Sequence, residues 1–230
     1  MSVKENVELV EERITNARER GGFGQAVTTV AVTKYVSTNT AQQALDSGIG
    51  HLGESRTEGL LEKQDTLQGR EASWHFIGQL QSRKVKDVVN RINYLHSLDR
   101  RSLAKEIQKR YTKDEPLRCF VQVNVSGEAS KSGLHPNEAI SFVESLSEFD
   151  KIEVVGLMTM APYTDDPEQT RPYFKHLKEL QSTVQSYKWQ HAPCTELSMG
   201  MSNDFEQAIE EGATYIRLGS TLVGDERNES

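Results

Sequence analysis

Apolar positions in residues 3–20 share one helical face, at Val7, Val10, Ile14 and Ala17, and Gly21-Gly22 ends that stretch. From Val27 the pattern changes. Val27–Lys34 is a short apolar, β-branched run, followed by cap-forming Ser37–Thr40, a helical stripe at Ala41, Ala44 and Leu45, and a closing Gly48. Further strand-like runs fall at 49–53, 74–78, 94–98, 118–125, 152–160, 196–199 and 214–218. Helix-spaced segments lie between them at 55–67, 82–92, 101–111, 136–148, 168–187 and 203–211. Runs such as Cys119-Phe-Val-Gln-Val and Val154-Val-Gly-Leu-Met suit strands covered on both faces.

Eight strands alternating with helices predict a parallel α/β sheet. Eight units in one stretch favour a closed (β/α)₈ barrel of the TIM type over an open doubly wound sheet. No Gly-x-Gly-x-x-Gly follows the first strand, which argues against a dinucleotide fold. The 230 residues are used up by one domain, 1–230, with an extra N-terminal helix at 1–22 and a short tail at 225–230. A domain of this size buries roughly 70–75% of its unfolded surface and needs no staples.

Composition narrows the function. With 27 basic and 34 acidic residues the net charge is −7, so nucleic acid and anionic membranes are disfavoured partners. Cys119 and Cys194 fit no metal-binding spacing and read as reduced, inert thiols, with a disulfide as the alternative. The N-terminus has no apolar signal core, and no run approaches the ~20 residues of a membrane span, so a cytoplasmic protein is expected.

In a barrel, chemistry collects where strands end. Lys34 ends the first strand, either as a solvated rim charge or as an amine partly desolvated by Val30, Ala31 and Val32 and able to condense with an aldehyde. Barrels often hold phosphate on the loops after strands seven and eight. Strand seven ends Met199-Gly200-Met201-Ser202-Asn203-Asp204. Gly200 would let backbone approach a ligand and Ser202 would supply a hydroxyl, or Asn203 with Glu206 merely caps the next helix. Strand eight ends Arg217-Leu218-Gly219-Ser220, where Gly219 and Ser220 can present N–H groups to an anion. Arg217 shares its strand face with Gly219, which leaves a ligand contact or a buried ion pair. His75 reads as pocket-facing or as a satisfied core histidine, and Met158 and Met160 as ring-packing or plain core. No obvious pairing appears for the loop acids Glu54, Asp99 and Asp165.

Seven segments together carry a resemblance: Ala31-Val-Thr-Lys-Tyr35, Gly53-Glu54, Trp74-His-Phe-Ile-Gly78 with Leu80-Gln-Ser82, Ala129-Ser-Lys-Ser-Gly133, Gly156-Leu-Met-Thr-Met160, Leu197-Ser-Met-Gly-Met-Ser202 and Arg217-Leu-Gly-Ser220. Over nearly its whole length the chain resembles the pyridoxal phosphate homeostasis (PLP-binding) protein family, and more distantly the barrel domain of alanine racemases. The resemblance implies a fold type III protein carrying pyridoxal 5′-phosphate (PLP) as a Schiff base on Lys34. It implies that Ser202 and the amides of Gly219 and Ser220 hold the phosphate, and that Arg217 meets the pyridine nitrogen. Gly200, Met199, Met158 and His75 complete the expected cofactor-binding set. Where that family commonly has Asn after Gly-Glu, this chain has Ser55, which places an amide contact there in doubt.

An arginine opposite the pyridine nitrogen keeps that nitrogen unprotonated and weakens the ring as an electron sink. Racemisation also needs a second base, which alanine racemases take from a domain this chain does not have. The expectation is therefore a monomeric, non-enzymatic protein of PLP, vitamin B6 and amino-acid homeostasis, with PLP-dependent apoenzymes as candidate recipients. The alternatives are a weak PLP-dependent amino-acid racemase or decarboxylase, and a cofactor-free phosphosugar-type barrel enzyme.

Overall fold

The computed structural model describes residues 1–128 and 131–228. Ala129 and Ser130, which begin one of the seven segments, and the last two residues of the expected tail lie outside the described residues. Eight parallel strands close on themselves in chain order: β1 Thr28–Val32, β2 His51–Glu54, β3 Ser73–Phe76, β4 Tyr94–Leu98, β5 Leu117–Gln122, β6 Ile152–Met158, β7 Glu196–Met201 and β8 Tyr215–Leu218. The seam is four paired residues long, from Thr28 opposite Tyr215 to Ala31 opposite Leu218.

The helices are α1 Val3–Gly21, α2 Thr38–Asp46, α3 Thr57–Thr66, α4 Val85–Val88, α5 Arg101–Arg110, α6 Pro136–Ser145, α7 Arg171–Ser186 and α8 Phe205–Glu210. The stretch expected to be one helix over 82–92 is three short turns, with α4 flanked by 3₁₀ segments. The second strand starts at His51 rather than at residue 49, because Gly48 turns the chain at φ +93° and the Ile49 N–H still caps α2 on the Ala44 carbonyl. Among the described residues no α-helix follows β8, only a 3₁₀ turn at Glu226–Asn228. Instead α1 packs between α8 and α2 and takes that place in the outer ring. Arg13 and Arg20 of α1 tie it to Glu206 and Glu210 of α8, and a Cβ on Gly21 would stand 2.7 Å from the Glu210 Cα.

Alternation along the strands sorts the core into two layers. Outward residues such as Leu52, Phe76, Leu95, Val121, Leu197 and Leu218 meet the helices. Inward residues Val30, Tyr94, Phe120, Val155, Met158 and Tyr215 fill the barrel itself. Cys119 and Cys194 are free, buried thiols, with burial pushing Cys194 up to about 12 and Cys119 in the same direction. Among the described residues no helix is long and apolar enough to cross a membrane.

Candidate functional site

The two turns after β7 and β8 lie side by side and are stitched together. The Thr221 N–H donates to Ser202 Oγ at 3.3 Å, and the Thr221 hydroxyl to the Ser202 carbonyl at 3.4 Å. The Leu222 and Val223 N–H groups both fold back onto the Gly219 carbonyl at 2.9 Å. The chain thus makes a single turn straight after β8. Among the described residues no hydrogen bond to protein takes the N–H of Gly219 or of Ser220. Backbone donors left in this way at a turn form an anion seat. Gly219 also packs against β1: a Cβ there would lie 3.7 Å from the Val32 carbonyl oxygen, two residues before Lys34.

Lys34 lies on the turn past β1, where the Val36 N–H closes onto the Thr33 carbonyl at 3.2 Å. Its number parity matches inward Val30. Its side chain nevertheless leans away, with Nζ 4.7 Å from the Tyr35 ring centroid, and the residue is exposed. Of the two readings of Lys34, the desolvated amine is therefore not the one seen: the strand stops at Val32, and the turn lifts Lys34 above the apolar rungs. The chain's last turn straps this segment. Arg227 covers the other reach of Tyr35 at 3.7 Å, and Glu226 accepts from the Ser37 N–H at 2.7 Å.

Arg217 is buried at the upper end of the barrel interior. It donates to Ser198 Oγ at 2.5 Å and to the Thr159 carbonyl at 2.9 Å. Burial pulls its pKa down to about 10, so it stays cationic at neutral pH, with Asp204 helping to hold the charge. It is thus held by neutral oxygens; among the described residues no carboxylate pairs with it directly.

Several expected roles change. Gly200 has a packing role. It sits in a bulge of β7 at φ +93°, and a Cβ there would be 2.6 Å from the Ala208 Cβ, so its absent side chain lets α8 pack. Met199 points into the outer layer under the helices, opposite Ser198 and Arg217, while Met158 belongs to the barrel interior. Asn203 does not cap α8: it donates to the Thr164 carbonyl, and Glu206 pairs with α1. The N-cap residue is Asp204, whose carboxylate accepts from the Met201 N–H at 2.7 Å. His75 is a core histidine: fully buried, stacked on Tyr94 at 4.4 Å, and bonded to His51 and His96. Ser55 presses its carbonyl on Gly78, where a Cβ would be only 2.3 Å away.

Two features escaped sequence reasoning. Glu54, read as unpaired, forms a buried ion pair with Lys63 of α3 at 2.9 Å and accepts from Thr33 at 2.7 Å. Ser198 links Arg217 to His96. Neither left a local signal, although alternation along β7 and β8 puts Ser198 and Arg217 both on inward faces and could have paired them.

The family model described as "Alanine racemase, N-terminal domain" matches residues 6–227. The chain is 39% identical to the pyridoxal phosphate homeostasis protein of Aquifex aeolicus, over 99% of this chain and 100% of the relative. It is 37% identical to the mouse protein of that name, over 85% of this chain and 76% of the relative. Among solved structures, PipY of Synechococcus elongatus with PLP bound superposes at TM-score 0.81 and 26% identity, covering 97% of this chain and all of that one. Alanine racemase from Corynebacterium glutamicum shares the fold at TM-score 0.72 and 16% identity, with 96% of this chain matched to 60% of that one.

Proposed function

The chain belongs to the pyridoxal phosphate homeostasis protein family, and from that premise we propose that it binds PLP through Lys34 and holds it without strong turnover. The observation that carries this reading is the pair of unclaimed N–H groups at Gly219 and Ser220, set beside Ser202 and one turn from Lys34. Together they suit a phosphate with a reactive group at fixed reach. Bound PLP supplies an aldehyde carbon and an electron-withdrawing ring. Lys34 holds the aldehyde end by turning from Tyr35 over the mouth. Ser202, Gly219 and Ser220 hold the phosphate, and Arg217 faces the pyridine nitrogen with Met158 among the apolar neighbours below.

An arginine at that nitrogen keeps it from gaining a proton, so the ring withdraws electrons weakly. An exposed Lys34 suits capture and release, with PLP-dependent apoenzymes as recipients. Borohydride reduction and peptide mass spectrometry test the attachment: PLP mass on the Lys34 peptide is expected, and a label on another peptide would refute it. Incubation with L-alanine in deuterated water tests turnover. Little α-carbon exchange is expected, and exchange that disappears in Lys34→Ala would establish an enzyme instead.

A further inference from the structure

A chain of hydrogen bonds crosses the barrel interior from Arg217 to its opposite mouth. Arg217 donates to Ser198 Oγ at 2.5 Å. Ser198 Oγ lies 2.8 Å from His96 Nδ1, His96 Nε2 lies 2.8 Å from His75 Nδ1, and His75 Nε2 lies 2.9 Å from His51 Nδ1. These residues come from β8, β7, β4, β3 and β2 in turn. Arg217, Ser198, His96 and His75 are buried, whereas His51 is half-buried. His51 opens on a cleft of about 430 Å³ at the N-terminal ends of β1 and β2, lined also by Glu11, Thr15 and Thr28.

The chemistry gives this chain a direction. A guanidinium can only donate, so Ser198 Oγ accepts from it. The buried Ser198 hydroxyl then needs an acceptor for its own proton, and His96 Nδ1 is the one in reach; leaving that proton unbonded costs roughly 1–3 kcal/mol. His96 must then carry its proton on Nε2 and donate to His75 Nδ1, and His75 Nε2 likewise donates to His51 Nδ1. All three imidazoles are neutral, and only the His51 Nε2–H is left for the cleft. Burial favours this state, pulling His51 below its ordinary value and His75 and His96 well below theirs.

We propose that Ser198, His96, His75 and His51 are positioning residues acting through Arg217, and that protonating His51 at the far mouth reverses the direction of the whole relay. This rests on the reading that Arg217 faces the cofactor. A charged His51 donates from both nitrogens. Its Nδ1–H meets the His75 Nε2, so His75 carries its proton on Nδ1, and His96 does the same. His96 then donates to Ser198 Oγ, which now accepts twice and leaves its hydroxyl proton without a partner beside Arg217. The protein gains one proton in all, and the two inner histidines change tautomer without net gain or loss. The titratable groups facing His51 are His75 from β3, Tyr94 from β4, Tyr215 from β8 and Glu11 from α1. Glu11 is the one carboxylic acid among them.

The test has two arms on the full chain. In ¹⁵N-histidine-labelled protein without PLP, long-range ¹H–¹⁵N spectra near neutral pH are expected to show all three rings protonated at Nε2. As His51 titrates, assigned by its loss in His51→Gln, His75 and His96 are expected to switch to Nδ1–H. A His96 already protonated at Nδ1 near neutrality, or inner tautomers unmoved through the His51 titration, would overturn the proposal. In the second arm PLP affinity is measured between about pH 5 and 8. A weakening of about fivefold or more across the His51 titration is expected in the wild type and not in His51→Gln, which keeps an acceptor for His75. An identical response in both proteins overturns the coupling. Failure of PLP to bind at any pH refutes the cofactor reading alone, because the tautomer arm still decides the relay.

Discussion

Lys34 and Arg217 are two cations in opposite settings. Lys34 is exposed on a turn, where its amine is open to an incoming aldehyde, and Arg217 is buried and fixed by two neutral oxygens. That contrast predicts different outcomes for their neighbours. Ser202→Ala removes one hydroxyl from the anion seat and unties it from Thr221, so PLP retention in dialysis should fall by about tenfold, a charge-assisted bond's worth. Ser220→Ala should change little, since only its N–H is used. Both serines sit in Gly/Ser-rich strand ends that were legible from composition and position. That Lys34 stands exposed on a turn was not legible, because the sequence does not mark where β1 stops.

At the level of elements, the packing of a strand against the helix that follows it explains individual residues. Gly200 takes a left-handed φ inside a strand and lets α8 approach β7. Gly200→Ala should therefore destabilise the fold by roughly 1–3 kcal/mol, read from urea unfolding, as overpacking and backbone strain combine. The buried Glu54–Lys63 pair is a sharper case. Lys63→Met leaves an unpaired buried carboxylate and should cost about 3–5 kcal/mol in thermal or urea unfolding. Replacing both residues with leucine and methionine should restore most of that. The hydrophobic period revealed all eight strands because each strand is covered on both faces. It also placed α1, but not α1's job of filling the gap that β8 leaves in the helical ring, which depends on which neighbours closure brings together.

The whole molecule carries a pH dependence written into its interior. His75 and His96 are neutral in the fold, with values pulled well below their ordinary 6.5 by burial. Above about pH 6.5 both folded and unfolded chains hold these rings neutral, and their contribution to stability is complete. Below it the unfolded chain takes up protons that the folded chain refuses, so stability falls with pH until the folded values are reached. The slope is about 1.4 kcal/mol per pH unit for each ring. Urea unfolding between neutral and mildly acidic pH should show this loss, and His75→Gln with His96→Gln should flatten it. A flat profile in the wild type would mean that the rings are charged inside the barrel.

The alternation of apolar runs and helical stripes was enough to specify a closed parallel barrel, because burying a sheet on two faces imposes a local period. The Gly/Ser strand ends were enough to single out the two turns after β7 and β8 that the fold sets side by side. The partner of Glu54, the outward face of Met199, the lean of Lys34 and the path from Arg217 to His51 were decided only by tertiary structure. Each depends on the stagger of neighbouring strands and on where a strand ends, and residues 121 positions apart in the chain, such as Tyr94 and Tyr215, meet only once the cylinder closes.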